Sequence, residues 1–376
     1  MQTRDYFPLG VAADEAFCNR TQETLLLSKN IKNGKHSLLI GTRRYGKSSL
    51  ALRALELSKL PFSEIDFYMA TNEKVIETYI LNAVTDLIGK ALGSVDKLVT
   101  SIKRLAKNLR PKIDIGTSVF KLELTPEINS DPATNVKDGL QLLEKLLAEK
   151  NKHAVLLMDE FQIVGVIARG AGIEAAIRHV AQKTKFLTII FSGSNRKLLL
   201  TMFEDETRPL YKLCWKMNVH KIESEHYFPH LQKAATLAWK SELNKEVFKK
   251  IMILTDRHPF YVNKLCDRIW AYYPDKAPSI KEVAAAWNAI LKEDKSDAIK
   301  EISLLSLGQK KLLQEIAKNK NIQPTSKEII MELQMTSSSI MSALEGLEEK
   351  DVIERGNNQY YVINPIVKFY VLHVLR

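Results

Sequence analysis

The sequence predicts an α/β fold: a mostly parallel sheet sandwiched by helices, followed by an all-helical domain and then a small module of short helices and a hairpin. Three observations carry this. Short apolar runs alternate with helix-period segments from His36 to Phe191, the order that a parallel sheet with helical crossovers requires. Between Ile222 and Glu293 strand signals vanish and helical periods dominate. From Leu304 onward the pattern becomes three brief helices and two short β-rich stretches flanking Gly356-Asn357-Asn358. The expected domains are therefore residues 1–221, carrying a basic insert around 97–125, then 222–300 and 301–376.

Taken in order, His36 to Ile40 reads as a buried strand, and Lys47 to Leu60 after the glycine turn as a helix. Ser63 to Ala70 is a second strand, and Lys74 to Leu92 has apolar residues at helix spacing. Ile113, Ile115, Val119, Leu122 and Leu124 alternate around Gly116-Thr117, which predicts a hairpin. Ala133 to Lys150 is another helix. Ala154 to Met158 and Phe186 to Phe191 are strongly apolar strands separated by a helix around Ile173 to Gln182. Pro229, Pro259 and the Pro274 to Pro278 stretch are expected to break the helical domain. Gly308 to Lys318, Ser326 to Leu333 and Ser337 to Lys350 are the three last helices, ahead of strands Val352 to Glu354 and Tyr360 to Ile363.

Composition narrows the function classes. At 376 residues and 45% hydrophobic content the chain is neither disordered nor a mini-protein. Cys18, Cys214 and Cys266 are odd in number and far apart, which argues against a disulfide scaffold or a zinc site and for free thiols in a reducing compartment. No apolar run long enough to span a membrane occurs and the first residues lack a signal-peptide pattern, so a soluble cytoplasmic protein is expected. The net charge of +11 suggests an anionic partner. It is unevenly placed: Lys300 to Arg376 holds 10 Lys and Arg against 9 Asp and Glu, whereas Lys90 to Lys121 holds eight basic residues and two acids.

The chemistry lies in three strand ends. Gly41-Thr42-Arg43-Arg44-Tyr45-Gly46-Lys47-Ser48 fits G-x-x-x-x-G-K-[ST] between a strand and a helix, where backbone N–H groups and the helix N-terminus receive phosphate. Ser49 continues that first turn. Lys47 would reach the β- and γ-phosphates and Ser48 would ligate Mg²⁺. Asp159, at the end of an apolar strand, would share the Mg²⁺ shell, and Glu160 beside it would orient and deprotonate the attacking water. The third strand runs into Ser192-Gly193-Ser194-Asn195, where Asn195 or Ser194 could sense the γ-phosphate. Arg43, Arg44, Arg196 and Arg208 are candidates for stabilising transition-state charge.

These residues resemble the archaeal-type P-loop ATPase family, on the AAA+/STAND side of the P-loop NTPases. Phe17-Cys18-Asn19-Arg20-Thr21-Gln22-Glu23 looks like its F-x-x-R-x-x-E box, Gly41 to Ser48 like its G-x-R-R-x-G-K-[ST] loop, Asp159-Glu160-Phe161-Gln162 like its D-E-F-Q motif, and Ser192-Gly193-Ser194 like its S-G-S. His258-Pro259-Phe260-Tyr261 is similar to its lid signature, and the C-terminal module looks like its winged helix. The resemblance implies a P-loop NTPase core, a helical lid and a winged-helix domain, with Arg20 near the adenine and Pro259 in the lid as nucleotide-binding residues. Where the family reads P-L-Y-G-R the chain has Pro209-Leu210-Tyr211-Lys212-Leu213, and Asp256-Arg257 replaces a glycine pair in the lid.

Two segments have alternative readings. Thr336 to Lys350 sits where a recognition helix would, yet Glu345, Glu348 and Glu349 precede its one cation, so a protein-contact or autoinhibitory role is favoured over DNA. Ser101 to Arg110 reads as an amphipathic helix with Ile102, Leu105 and Leu109 inward and Lys103, Arg104, Lys107 and Arg110 outward, either a solvated face or a surface for nucleic acid or an acidic protein partner. The expectation is an ATPase that binds and hydrolyses ATP with Mg²⁺ to ADP and acts as a nucleotide-driven switch on a protein partner. A DNA-binding regulatory ATPase and a nucleotide-held scaffold are the alternatives, and a homo-oligomer is compatible with each.

Overall fold

The computed structural model describes residues 6–93, 99–106, 109–115, 120–126, 130–167, 172–318, 323–356 and 359–374. The chain divides into two compact units, residues 20–219 and residues 220–376 together with the segment before Arg20.

In the first unit a five-stranded sheet is assembled entirely from parallel pairs. Its strands are β1 (Ser37–Ile40), β2 (Phe62–Asp66), β5 (Ala154–Asp159), β6 (Leu187–Gly193) and β7 (Trp215–Asn218), in the order β2-β5-β6-β1-β7. All seven residues of β6 and the first five of β5 are buried, which is why these central strands read as continuous apolar runs. The crossovers are α1 (Thr21–Lys32) ahead of β1, α2 (Lys47–Ser58), α3 (Glu73–Leu92), α5 (Pro132–Glu149), α6 (Gln162–Ile167), α7 (Gly172–Ala181) and α8 (Arg196–Glu204). Asn72, Asp131 and Asn195 cap α3, α5 and α8 through their side chains, satisfying N–H groups that the first helical turn leaves unpaired.

Three expectations are corrected here. The second strand stops at Asp66, because the Asp66 carboxylate takes the Tyr68 N–H at 2.8 Å and turns the chain. The helix expected over Ser101 to Arg110 is only α4 (Val99–Leu105), and Leu109 instead opens β3 (Leu109–Ile115), antiparallel to β4 (Phe120–Pro126). That hairpin is the predicted one, with its turn outside the described residues, as are Lys97 and Lys107. Ile102, Leu109, Leu122 and Leu124 are buried, so the insert is anchored on the helical layer by its apolar residues. Strand β7 was not expected: Trp-Lys-Met-Asn has one buried residue, and only its pairing with β1 makes it a strand.

The second unit is helical: α9 (Ser224–Trp239), α10 (Lys245–Thr255), α11 (Pro259–Tyr272), α12 (Ile280–Glu293) and α13 (Lys295–Ser303). Pro259 occupies the first turn of α11, where its missing N–H costs nothing. Pro229 does not break its helix. It lies inside α9, and Glu225, whose carbonyl loses a partner, is exposed to water. The last module holds α14 (Leu307–Lys318), α15 (Lys327–Leu333), α16 (Ser337–Glu349) and the hairpin β8 (Ile353–Gly356) with β9 (Gln359–Val362), then one helix beyond the expected hairpin, α17 (Pro365–Val374). Residues 6–19 pack on this unit, with Phe7 against Trp270 at 4.9 Å between ring centroids and Asn263 donating to Pro8 O at 2.8 Å. The three cysteines are free, and burial pushes the Cys214 and Cys266 thiols up, so both are thiols rather than thiolates at neutral pH.

Candidate functional site

At the carboxyl edge of the sheet three strand ends lie side by side, because β1 and β5 both flank β6. The loop from Gly41 to Ser48 leaves β1 and enters α2 with Gly46 at φ +87° and Arg44 at φ +64°. Glycine tolerates that left-handed conformation without strain. Gly41 has no room for a side chain, since a Cβ would come within 2.6 Å of Val219 O. Thr42, Tyr45, Lys47 and Ser49 are buried and Arg43 and Arg44 exposed, so Tyr45 serves the loop as a packed ring. The Lys47 ammonium donates to Gly41 O at 2.8 Å and Thr42 O at 3.0 Å, folding back across the loop. Arg20, itself buried and left-handed, donates to Tyr45 O at 2.8 Å and so braces the loop from the start of α1.

The acidic pair is fixed from β5. Asp159 Oδ2 accepts from Ser48 Oγ at 2.8 Å, and Oδ1 accepts the Glu160 N–H at 2.9 Å. Glu160 has φ +50°, a conformation costing a non-glycine residue about 1 kcal/mol or more. The next residue explains why it persists. Phe161 is fully buried, its ring 4.7 Å from Phe191 and 6.0 Å from Phe67, and its N–H donates to Ser192 O at 2.9 Å. Burying a phenylalanine is worth about 2 kcal/mol, enough to hold the turn. Glu160 Oε2 then accepts from Ser194 Oγ at 2.8 Å and from the Gln162 side-chain amide. Gln162 is buried against Gly193, where a Cβ would overlap its Oε1.

This separates the two sensor candidates. Ser194 touches Glu160, whereas Asn195 spends its side-chain oxygen on the Leu198 N–H at 3.0 Å as the cap of α8. Gln162 appeared in the sequence only as a motif letter; nothing local signals that it reaches back to Glu160. On β2, burial first and then the Asp159 and Asp66 charges push the Glu64 carboxyl up, so it gives up its proton less readily than a free carboxyl. Arg208 is engaged elsewhere, paired at 2.5 Å with Glu174, whose carboxylate is fully buried. Pro259 belongs to the other unit, as does Arg257, which pairs with Glu223.

The hydroxyl of Ser48 and the carboxylate of Asp159 are adjacent oxygen donors, suited to Mg²⁺, which takes one or two protein ligands and completes its shell with phosphate and water. Among the described residues there is no group of three or more His, Cys, Asp or Glu side chains that could hold a metal by itself.

Residues 299–373 match a family described as a probable winged helix domain. No curated protein sequence matches the chain. Among solved structures, a Walker-type ATPase of Pyrococcus abyssi is similar with a TM-score of 0.68 and 19% identity, covering 98% of this chain and all of that one. The ORC2 protein of Aeropyrum pernix, in its ADPNP–ADP complexes, has a TM-score of 0.58 at 12% identity, with 99% and 98% covered. The ORC1 protein of the same organism, in complex with DNA, has a TM-score of 0.50 at 13% identity, with 98% and 95% covered. The fold is thus that of the AAA+ P-loop NTPases with a C-terminal winged helix, as the resemblance implied.

Proposed function

We propose that the chain binds ATP at the Gly41–Ser48 loop and hydrolyses it to ADP and phosphate. The observation that carries the reading is the convergence, at one sheet edge, of Lys47, a Ser48–Asp159 pair and a Glu160 held by Ser194. Lys47 would exchange the Gly41 and Thr42 carbonyls for β- and γ-phosphate oxygens. Ser48 and Asp159 would hold Mg²⁺, which when bound neutralises phosphate charge. Glu160 would orient a water on the γ-phosphorus; as that P–O bond forms and the bond to the β-phosphate oxygen breaks, Glu160 takes the water proton. Ser194 and Gln162 position Glu160, and Asn195 retains an amide N–H₂ for the γ-phosphate. Arg20 fixes the loop.

The nucleotide state would act as a switch on a protein partner through the winged helix. One neighbour of this fold was solved on DNA, but here the only cation of the candidate recognition helix, though exposed, is tied to groups of its own module. Lys350 donates to Leu304 O at 2.8 Å and Gln309 Oε1 at 3.1 Å, while Glu345 and Glu349 face water. Calorimetry with ATP tests the assignment: Lys47→Ala should weaken binding about 100-fold or more, whereas Glu160→Gln should bind normally and lose turnover about 100-fold. Equal affinity in wild type and Lys47→Ala would refute the phosphate loop, and unimpaired turnover in Glu160→Gln would move the base elsewhere.

A further inference from the structure

The charge of this chain belongs to one unit. Residues 20–219 hold 31 Lys and Arg against 21 Asp and Glu, a surplus of ten, whereas the remaining residues hold 24 against 23. Apart from the basic insert, a second group of cations within that unit stands at the sheet edge opposite the phosphate loop. Four loops enter β1, β2, β5 and β6 there: residues 33–36, 59–61, 150–153 and 182–186. Together they contain six lysines (Lys35, Lys59, Lys150, Lys152, Lys183 and Lys185) and not one Asp or Glu. All six are exposed, and none has an ion-pair partner among the described residues.

The sheet makes these loops neighbours. Val155 N–H donates to Pro61 O at 2.9 Å, Ala154 N–H to Phe186 O at 3.0 Å, and Trp215 N–H to His36 O at 2.9 Å, so the loops form a row. Strands about 4.8 Å apart spread that row over about 20 Å. At one end it opens into a groove of about 780 Å³ lined by Lys59, Phe62, Lys90, Lys152 and His153. At the other end the edge strand presents Trp215, 60% exposed, with the Lys35 ammonium 4.5 Å from its ring centroid.

Nearby carboxylates do not neutralise the row. In the last two turns of α1, α2, α3, α5 and α7 the only acids are Glu56, Asp86, Glu144 and Glu149. Glu56 pairs with Arg53, Asp86 with Lys90 and Glu149 with Arg104, and Glu144 accepts the backbone N–H groups of Lys185, Phe186 and Leu187. Helix C-termini meet at this edge and favour cations, at about 0.3–1 kcal/mol each, which explains why lysines collect there. It does not explain a sixfold row without acids, continuing to an exposed indole.

We propose that this edge is a nucleic-acid-binding surface, tracking a phosphodiester backbone along the lysine row and stacking a base or sugar on Trp215. A polyanion with closely spaced charges neutralises such a row by releasing its own counterions, and an aromatic beside it supplies sequence-tolerant stacking. The site lies on the opposite edge from the nucleotide loop and outside the winged helix, and it does not depend on ATP hydrolysis.

The test is fluorescence anisotropy of the full chain with a short labelled oligonucleotide, single-stranded and duplex, titrated across about 50 to 200 mM salt. Lys59→Glu, Lys152→Glu and Lys185→Glu combined should weaken binding at least about tenfold and lower the slope of log affinity against log salt by about two to three. The same positions changed to Gln should give a smaller loss of the same kind, and Trp215→Ala should weaken the single strand more than the duplex. Unchanged ATP affinity in the triple variant shows that it is folded. The proposal is overturned if the wild type binds neither oligonucleotide at low salt, if the triple variant keeps affinity and slope, or if poly-glutamate binds more tightly than either oligonucleotide, which would assign the face to an acidic protein.

Discussion

The two edges of the one sheet are built on opposite rules. At the carboxyl edge the polar groups are bonded to each other before any ligand arrives: Lys47 to two carbonyls, Ser48 to Asp159, and Glu160 to Ser194 and Gln162. At the amino edge the six lysines have no acid partner among the described residues and are spread over four loops. A preorganised cluster is suited to chemistry, where a small misplacement is costly. A spaced row of exposed cations is suited to a partner recognised chiefly by its charge. Function at the first edge should therefore respond to single atoms, and at the second to the sum of charge.

The largest effect that would sharpen this contrast is on turnover. Replacing Ser194 and Gln162 together by Ala should lower kcat about 100-fold with ATP affinity retained, because Glu160 loses both side chains that hold its Oε2. Steady-state kinetics reads it; a change confined to KM would mean that Glu160 needs no positioning. The salt slope for oligonucleotides should be untouched by that double variant.

A middle-sized effect comes from His36, at the start of β1, whose buried ring joins the edges of three elements. Its Nδ1 accepts the Ile189 N–H at 2.9 Å and its Nε2 lies 2.8 Å from Ala181 O. Burial lowers its pKa below the ordinary value, so the unfolded chain takes up the proton first as pH falls. The stability it contributes is complete above about pH 6.5 and is lost as pH drops toward the folded-state value. The melting temperature should accordingly decline between about pH 7 and 5, and His36→Asn should flatten that decline. A melting temperature with the same pH dependence in both would assign the titration to another group.

The smallest effect tests charge summation at the amino edge. Arg104 and Glu149 pair at 2.5 Å on the surface, and exposed pairs of this kind contribute about 0–1 kcal/mol. Glu149→Gln should change stability by no more than that, while steepening the salt dependence of oligonucleotide binding. A gain in affinity without any change of slope would break the comparison, since it would not be electrostatic.

Local sequence was enough for the elements that repeat a period. The apolar runs of β5 and β6 follow from burial on both faces, and the start of α11 from Pro259, because these depend on neighbours within a few residues. The glycine–lysine loop and the Asp159-Glu160 pair were legible for the same reason: a strand end, a turn and a helix start are contiguous, so residue type and spacing fix which groups face the sheet edge.

Tertiary structure decided what depended on partners far away in the chain. Trp-Lys-Met-Asn became a strand only through β1, and Leu109 left its expected helix because β4 and the helical layer gave it a buried register. Ser194 and Gln162, 34 and 2 residues from Glu160, meet at one carboxylate oxygen because β5 and β6 are neighbours in the sheet and Glu160 adopts a left-handed turn. The lysine row is the plainest case. Its members are scattered between positions 35 and 185, each unremarked in sequence beside the denser basic insert, and they become one surface because a parallel sheet starts every strand on the same edge.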